Sequence, residues 1–255
     1  MESESVALYV TSFLARCGAM RQPGQPQVDE PGVCGLLPTA DNPLARLLVT
    51  DDRAHDVVAR LLPEAHRGMI RVFAAAVNCA ELLEACAAWK GEPATAMVCR
   101  DLGAVPALTL PDELTLRTVR RLADDAPDGV PLEKAVAAAK LADPRIADPP
   151  SGFADYLRSL PSAVRLLAAV DAAGVVRATS GFGGFGTEAS VMFVNTDPNW
   201  RCRGIGQAMT AAALRAAHGL GAQHAGLDAT GAGHSIYSRL GFEAVSQITR
   251  FSPRA

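Results

Sequence analysis

Val194-Asn-Thr-Asp-Pro-Asn-Trp-Arg201-Cys-Arg-Gly204-Ile-Gly206-Gln-Ala-Met209 is the stretch on which the reading of this chain turns. An apolar strand pattern ends there, a short loop turns, and an amphipathic helix begins. Ile205, Met209, Ala212 and Ala216 fall on one face of that helix, while Gln207, Ala211, Arg215 and His218 fall on another. Gly204 and Gly206 therefore sit at a helix N-terminus, where several N–H groups lack intrahelical partners and carry partial positive charge. Without Cβ atoms at those positions a diphosphate can settle onto consecutive amides, with Arg201 and Arg203 adding charge at the rim.

On the N-terminal side, the runs Ala163–Val170, Val175–Ser180 and Ala189–Val194 read as strands. They are separated by Asp171–Gly174 and by the glycine-rich Gly181–Gly186, and such short connections imply antiparallel hairpins. The glycine run lies between two strand patterns with no helix after it, so it reads as a flexible hairpin whose Phe182 and Phe185 could border a cleft. Before these come a strand at Leu114–Val119 and helices near Pro131–Leu141 and Phe153–Leu160. After Met209 the helix runs to about His218, followed by a strand at Gln223–Ala229, a helix at about Gly233–Leu240 and a last strand at Phe242–Phe251. A dinucleotide-binding fingerprint would need a third glycine where Met209 stands, and would open a parallel unit rather than follow hairpins.

This order of elements, β-α-α-β-β-β-α-β-α-β, together with its motifs, resembles the GNAT acetyltransferase superfamily. The family's diphosphate loop, Q/R-x-x-G-x-G/A, is matched by Arg201, Gly204 and Gly206, and Leu227-Asp-Ala-Thr230 followed by Tyr237-Ser-Arg-Leu-Gly-Phe242 looks like its second conserved block. The resemblance covers roughly Leu114 to Phe251 and implies an α/β (α+β) fold with a mixed, mostly antiparallel central sheet flanked by helices. It further implies acetyl-CoA as cofactor, held by Val194, Thr196, Arg201, Arg203, Gly204, Ile205, Gly206, Gln207 and Ala208. The acetyl group would pass to a primary amine by direct attack on the thioester. A catalytically silent acyl-CoA-binding module, a longer acyl donor or an oxygen acceptor are the alternatives.

In many members of the family the tyrosine matched by Tyr237 protonates the departing thiolate, chemistry a positioned phenol can perform; the alternative is a tyrosine that only packs. Glu188, Asp228 and His234 are open candidates for a general base, each equally readable as a solvated or structural residue. Cys202, beside the loop arginines, reads as a bystander.

The N-terminal region opens with a helix pattern at Ser5–Ala15, whose task is packing, and a proline-rich stretch, Arg21–Gly32, read as an irregular connector. From Val33 onward strands at Leu44–Thr50, Met69–Ala75 and Ala94–Arg100 alternate with helices at Ala54–Leu62 and Ala80–Trp89. Asp101–Asp112, with Gly103, Pro106 and Pro111, is the natural boundary, giving a smaller α/β unit over residues 1–105 and the larger one over 112–255. The first unit has a similar rhythm without either motif, which suggests a degenerate GNAT-like half.

Charge excludes one broad class of partner and cysteine spacing excludes two kinds of site. A net charge of −3 with no basic run argues against nucleic acid. No two of the six cysteines form a C-x-x-C pair, against zinc ribbons and dithiol redox sites, so no metal is expected. No apolar stretch reaches the about 20 residues of a membrane span and no basic leader opens the chain, so the expectation is a cytoplasmic protein. Its partners would be acyl-CoA and an amine acceptor, with a homodimer permitted.

Overall fold

The structure is a computed structural model that describes residues 2–21, 24–37, 44–62, 67–121, 128–143, 151–160 and 162–254. Helix α1 (Glu2–Met20) is followed by strands β1 (Gln27–Glu30), β2 (Val33–Leu36) and β3 (Leu44–Val49), helix α2 (His55–Leu61), β4 (Arg67–Phe73), α3 (Val77–Ala85) and β5 (Trp89–Cys99). Then come β6 (Leu114–Arg120), β7 (Val130–Pro131), α4 (Leu132–Ala142), α5 (Ser151–Ser159), β8 (Val164–Asp171), β9 (Val176–Phe185) and β10 (Glu188–Thr196). The chain closes with α6 (Ile205–His218), β11 (His224–Ala229), α7 (Gly231–Ser238) and β12 (Phe242–Pro253).

All the described strands join one mixed sheet in the order β1-β2-β3-β4-β12-β5-β11-β10-β9-β8-β6-β7. Only β3–β4, β10–β11 and β6–β7 pair in parallel among the described residues. The last strand, β12, lies between β4 and β5, and β5 in turn lies between β12 and β11. The two halves of the chain are therefore interlocked in the middle of the sheet, through a β5–β12 register running from Phe242–Cys99 to Pro253–Trp89. Phe251 is fully buried there, in a core with Leu47, Ile70, Val72, Leu83 and Trp89.

Three sequence expectations are corrected by packing. The stretch Arg21–Gly32 contains β1, which pairs with β2 across the two-residue turn Pro31-Gly32; Gly32 takes φ +83°, the left-handed position that glycine fills without strain. The helix expected at Ala80–Trp89 starts and ends earlier, because Trp89 is buried in the core and opens β5 opposite Pro253. The glycine run is strand rather than flexible hairpin: β9 extends to Phe185, leaving only Gly186-Thr187 as turn. Its glycines permit close packing, since a Cβ on Gly184 would lie 2.3 Å from the Glu188 carbonyl oxygen and one on Gly181 2.6 Å from Leu166. Phe182 is buried in the core beneath α6 and borders no cleft, while the Phe185 side chain lies outside the described residues.

Candidate active site

The site begins where two neighbouring strands separate. β10 and β11 pair at Glu188–His224, Ala189–Ala225 and Ser190–Gly226, and past Ser190 β10 follows β9 while β11 follows β5. A bulge between Met192 and Asn195 bends β10 away. Phe193 within it has φ +56°, an uncommon conformation for a bulky side chain, and its carbonyl accepts hydrogen bonds from Thr179 Oγ1 (3.0 Å) and Asn195 Nδ2 (3.2 Å). Among the described residues Val194 and Thr196 therefore have no strand partner on the side of the fork, where the Thr196 carbonyl accepts from Arg201, and this edge suits an extended ligand adding itself as a strand.

The loop after β10 is tied down by contacts the motif does not reveal. Buried Asp197 caps the turn Pro198–Trp200 by accepting from Asn199 N (2.9 Å), and Arg177 ties it to Asp171 through contacts of 2.9 and 2.8 Å. Cys202 (φ +60°) and Gly204 (φ +76°) then swing the chain into α6. No side chain caps that helix, and Ala208 N–H to Gly204 O (3.0 Å) opens its intrahelical ladder, so the amides of Ile205, Gly206 and Gln207 point outward. A Cβ on Gly204 would meet nothing within 4 Å, and one on Gly206 would meet Thr196 Oγ1 at 3.6 Å and Ile236 at 3.7 Å. The first turn of α6, the end of β10 and helix α7 thus meet at Gly206, beside three outward-facing amides of the kind that can bind an anion.

Of the residues expected there, Ile205 and Ala208 bury their side chains in the core and offer only backbone. Gln207 accepts from Arg239 (3.3 Å). Arg201 spends its guanidinium on the carbonyls of Thr196 (3.2 Å) and Ala142 (2.9 Å), bracing the loop against α4. Arg203 stacks on Trp200 and pairs with Glu113 at 2.8 Å. Cys202 is exposed.

Tyr237 sits on α7, its ring against Gly233, where a Cβ would come within 2.7 Å of it, and edge-on to Phe242. Burial, with the charge of Asp228 adding to it, pushes the phenol up to about 12, so the hydroxyl keeps its proton at any physiological pH. That hydroxyl makes no hydrogen bond among the described residues.

Residues 135–242, which contain the fork, the loop and Tyr237, match the model of the acetyltransferase (GNAT) family. This part of the chain is a GNAT acetyltransferase domain. No curated protein matches the chain in sequence. Among solved structures, a GCN5-related N-acetyltransferase from Kribbella flavida is similar over 98% of this chain and 96% of its own, with TM-score 0.62 and 19% identity. A GCN5-related N-acetyltransferase from Sphaerobacter thermophilus is similar over 96% and 93%, with TM-score 0.55 and 15% identity. A tandem GNAT protein from the clavulanic acid biosynthesis pathway is similar over 98% and 95%, with TM-score 0.54 and 14% identity. At these identities the likeness establishes the fold, and it extends beyond the GNAT domain into the N-terminal half.

Helix α1 does more than pack on the GNAT domain. Tyr9, Ser12 and Arg16 lie on one face of it and reach both strands of the fork. Tyr9 donates to Asp228 Oδ1 (2.5 Å), Ser12 to Glu188 (2.8 Å), and Arg16 to Ser190 Oγ (2.6 Å) with Asp228 Oδ2 at 3.4 Å. Arg71 from β4 donates to Asp228 Oδ2 at 2.6 Å. Although burial opposes charge on Asp228, the two arginines and the Tyr9 hydroxyl hold its carboxyl well below the usual range. A carboxylate so engaged is unsuited to a base, which corrects that candidate. Glu188 stands at the closed end of the β10–β11 pairing, away from the fork, and His234 lies within α7 rather than in a loop. The spacing of Tyr9, Ser12 and Arg16 on the apolar face of α1 was the available signal for this network.

No metal-binding group of acidic, histidine or cysteine side chains occurs among the described residues, and no described helix is long and apolar enough to cross a membrane.

Proposed function

We propose that the protein transfers an acetyl group from acetyl-CoA to a primary amine. The observation that carries this is the convergence of an uncapped, glycine-led helix start with an unpaired strand edge and a protonated phenol. The amides of Ile205, Gly206 and Gln207 hold the diphosphate, and the backbone of Val194 and Thr196 holds the pantetheine arm. Coenzyme A supplies an activated thioester. As the amine nitrogen bonds to the acyl carbon and the carbon–sulfur bond breaks, Tyr237 gives its proton to the departing sulfur and recovers one from water, while the amine loses its proton to solvent.

The repeat of a parallel pair joined by a crossover helix, then a second helix and a third strand of the same direction set one strand away, β3-α2-β4-α3-β5 and β10-α6-β11-α7-β12, supports reading residues 1–105 as a degenerate half and 112–255 as the working one. One acyl-CoA per chain follows. The test is release of free thiol from acetyl-CoA in the presence of a panel of amines, with the acetylated product identified by mass. Binding without turnover on any amine would instead favour a silent acyl-CoA-binding module.

A further inference from the structure

Arg71 on β4, Arg250 on β12 and Glu92 on β5 stand directly opposite one another across three neighbouring strands. Arg46, two residues before Arg71's partner Leu48, is a diagonal neighbour on β3. Like charges placed directly across a sheet are destabilising, so a purely structural surface has no reason to keep them. Two of the nearby carboxylates are shared between cations. Asp228 is shared by Arg71 (2.6 Å) and Arg16 (3.4 Å), and Glu92 by Arg250 (3.8 Å) and Lys90 (3.2 Å).

Arg46 is only half-buried. Its guanidinium donates to the Tyr156 hydroxyl and lies over that ring at 5.4 Å, with no carboxylate partner among the described residues. Arg71 Nη1 is buried and has no hydrogen-bond partner, its guanidinium resting over Phe13 at 5.3 Å. Among the described residues Arg46 thus stands diagonal to Arg71 without a carboxylate of its own, in a chain whose overall charge is −3. The groups form one electrostatic cluster: the charges of Arg71, Arg16 and Arg46 all bear on the Cys17 thiol, and those of Asp228 and Arg250 on Tyr237. Through Asp228, Arg71 is thereby joined to β11, the strand that leads into α7 and Tyr237.

We infer that the amine acceptor carries a carboxylate, received at the mouth of the site by Arg46 and backed by Arg71 and Arg250. A half-buried guanidinium without a carboxylate, beside a buried Arg71 Nη1 that lacks a partner, is costly alone, and a planar carboxylate matches the fork of a guanidinium. The N-terminal half thereby contributes acceptor specificity. This rests on the acyltransferase reading above.

The experiment compares acetylation of matched amines: phenylalanine against phenethylamine, lysine against cadaverine, and β-alanine against propylamine and phosphoethanolamine. The carboxylate member of at least one set should be preferred by kcat/KM at least about tenfold. Arg46→Met should raise KM for that acceptor about tenfold or more, leaving KM for its neutral partner and the acetyl-CoA Kd unchanged, with Arg46→Lys recovering part of the loss. Equal or better use of the neutral members, preference for phosphoethanolamine, acceptance of no member, or an Arg46→Met variant without effect on KM would each overturn the inference. Failure of the wild type to bind acetyl-CoA by calorimetry would sink the transferase reading itself, a result separate from any preference among acceptors.

Discussion

In the N-terminal half, β3 and β4 run parallel from Leu44–Arg67 to Val49–Val72 without parting, whereas β10 and β11 separate after three pairs. The helices that follow the first strand of each pair also begin differently. The turn leading to α2 is closed by Asp51, whose carboxylate accepts from Arg53 N at 3.1 Å and from the Arg53 guanidinium at 2.8 Å, chiefly through which it is lowered to about 2. Asp52 fills the same corner by accepting from Cys79 N at 3.0 Å. Helix α6 instead begins at a left-handed glycine with its amides uncapped. One βαβ topology thus yields a closed scaffold when a carboxylate satisfies the helix start and the strands stay paired. It yields a ligand site when a bulge opens the sheet and glycine leaves the amides bare.

The largest expected effect breaks the chemistry without touching the scaffold. Tyr237→Phe should lower kcat by roughly 10²–10⁴-fold while the acetyl-CoA affinity stays the same, the pattern of an interaction made chiefly in the transition state. Loss of affinity with normal kcat would mean that the tyrosine only positions the cofactor. Because the phenol is raised to about 12, its neutral form persists through alkaline assays, and kcat/KM should show no fall assignable to it between about pH 7 and 10.

Next is the network that ties α1 and β4 to the fork. Asp228→Asn should destabilise the protein by about 3–5 kcal/mol in urea unfolding, since it leaves two buried arginines without their carboxylate. The folded-state value of Asp228 is depressed. Its contribution is therefore present above the unfolded value of about 4 and lost on further acidification, so the gap between wild type and variant should narrow as pH falls below about 4. A constant gap would refute the charge argument.

A smaller effect should come from the closed half. Asp51→Ala removes a cap from an exposed turn and should cost about 0.5–2 kcal/mol, without creating a second acyl-CoA site, because β3 and β4 remain paired. A gain of binding there would mean that capping alone separates the two halves.

The GNAT domain was legible because its chemistry is local. Arg201, Gly204 and Gly206 announce a helix start, and Tyr237 to Phe242 a helix end with the strand after it, over spans short enough for spacing to fix geometry. What escaped the sequence is contact between distant segments. Nothing in Trp89–Cys99 or Phe242–Pro253 says that each will lie beside the other in mid-sheet, and the polar members of α1 gain meaning only against Ser190 and Asp228. The glycines of β9 were misread because close backbone approach and turn flexibility call for the same residue.

The helix start at Gly204–Gly206 carries the proposed cofactor site, and calorimetric titration of acetyl-CoA into the wild type and Gly206→Val tests it directly. A Cβ there meets only ordinary packing distances, so the fold should survive while the valine side chain occupies the approach to the amides. The expected result is one acetyl-CoA per wild-type chain and at least about a hundredfold loss of affinity in a folded variant. Two sites per chain, or unchanged affinity in folded Gly206→Val, would contradict it.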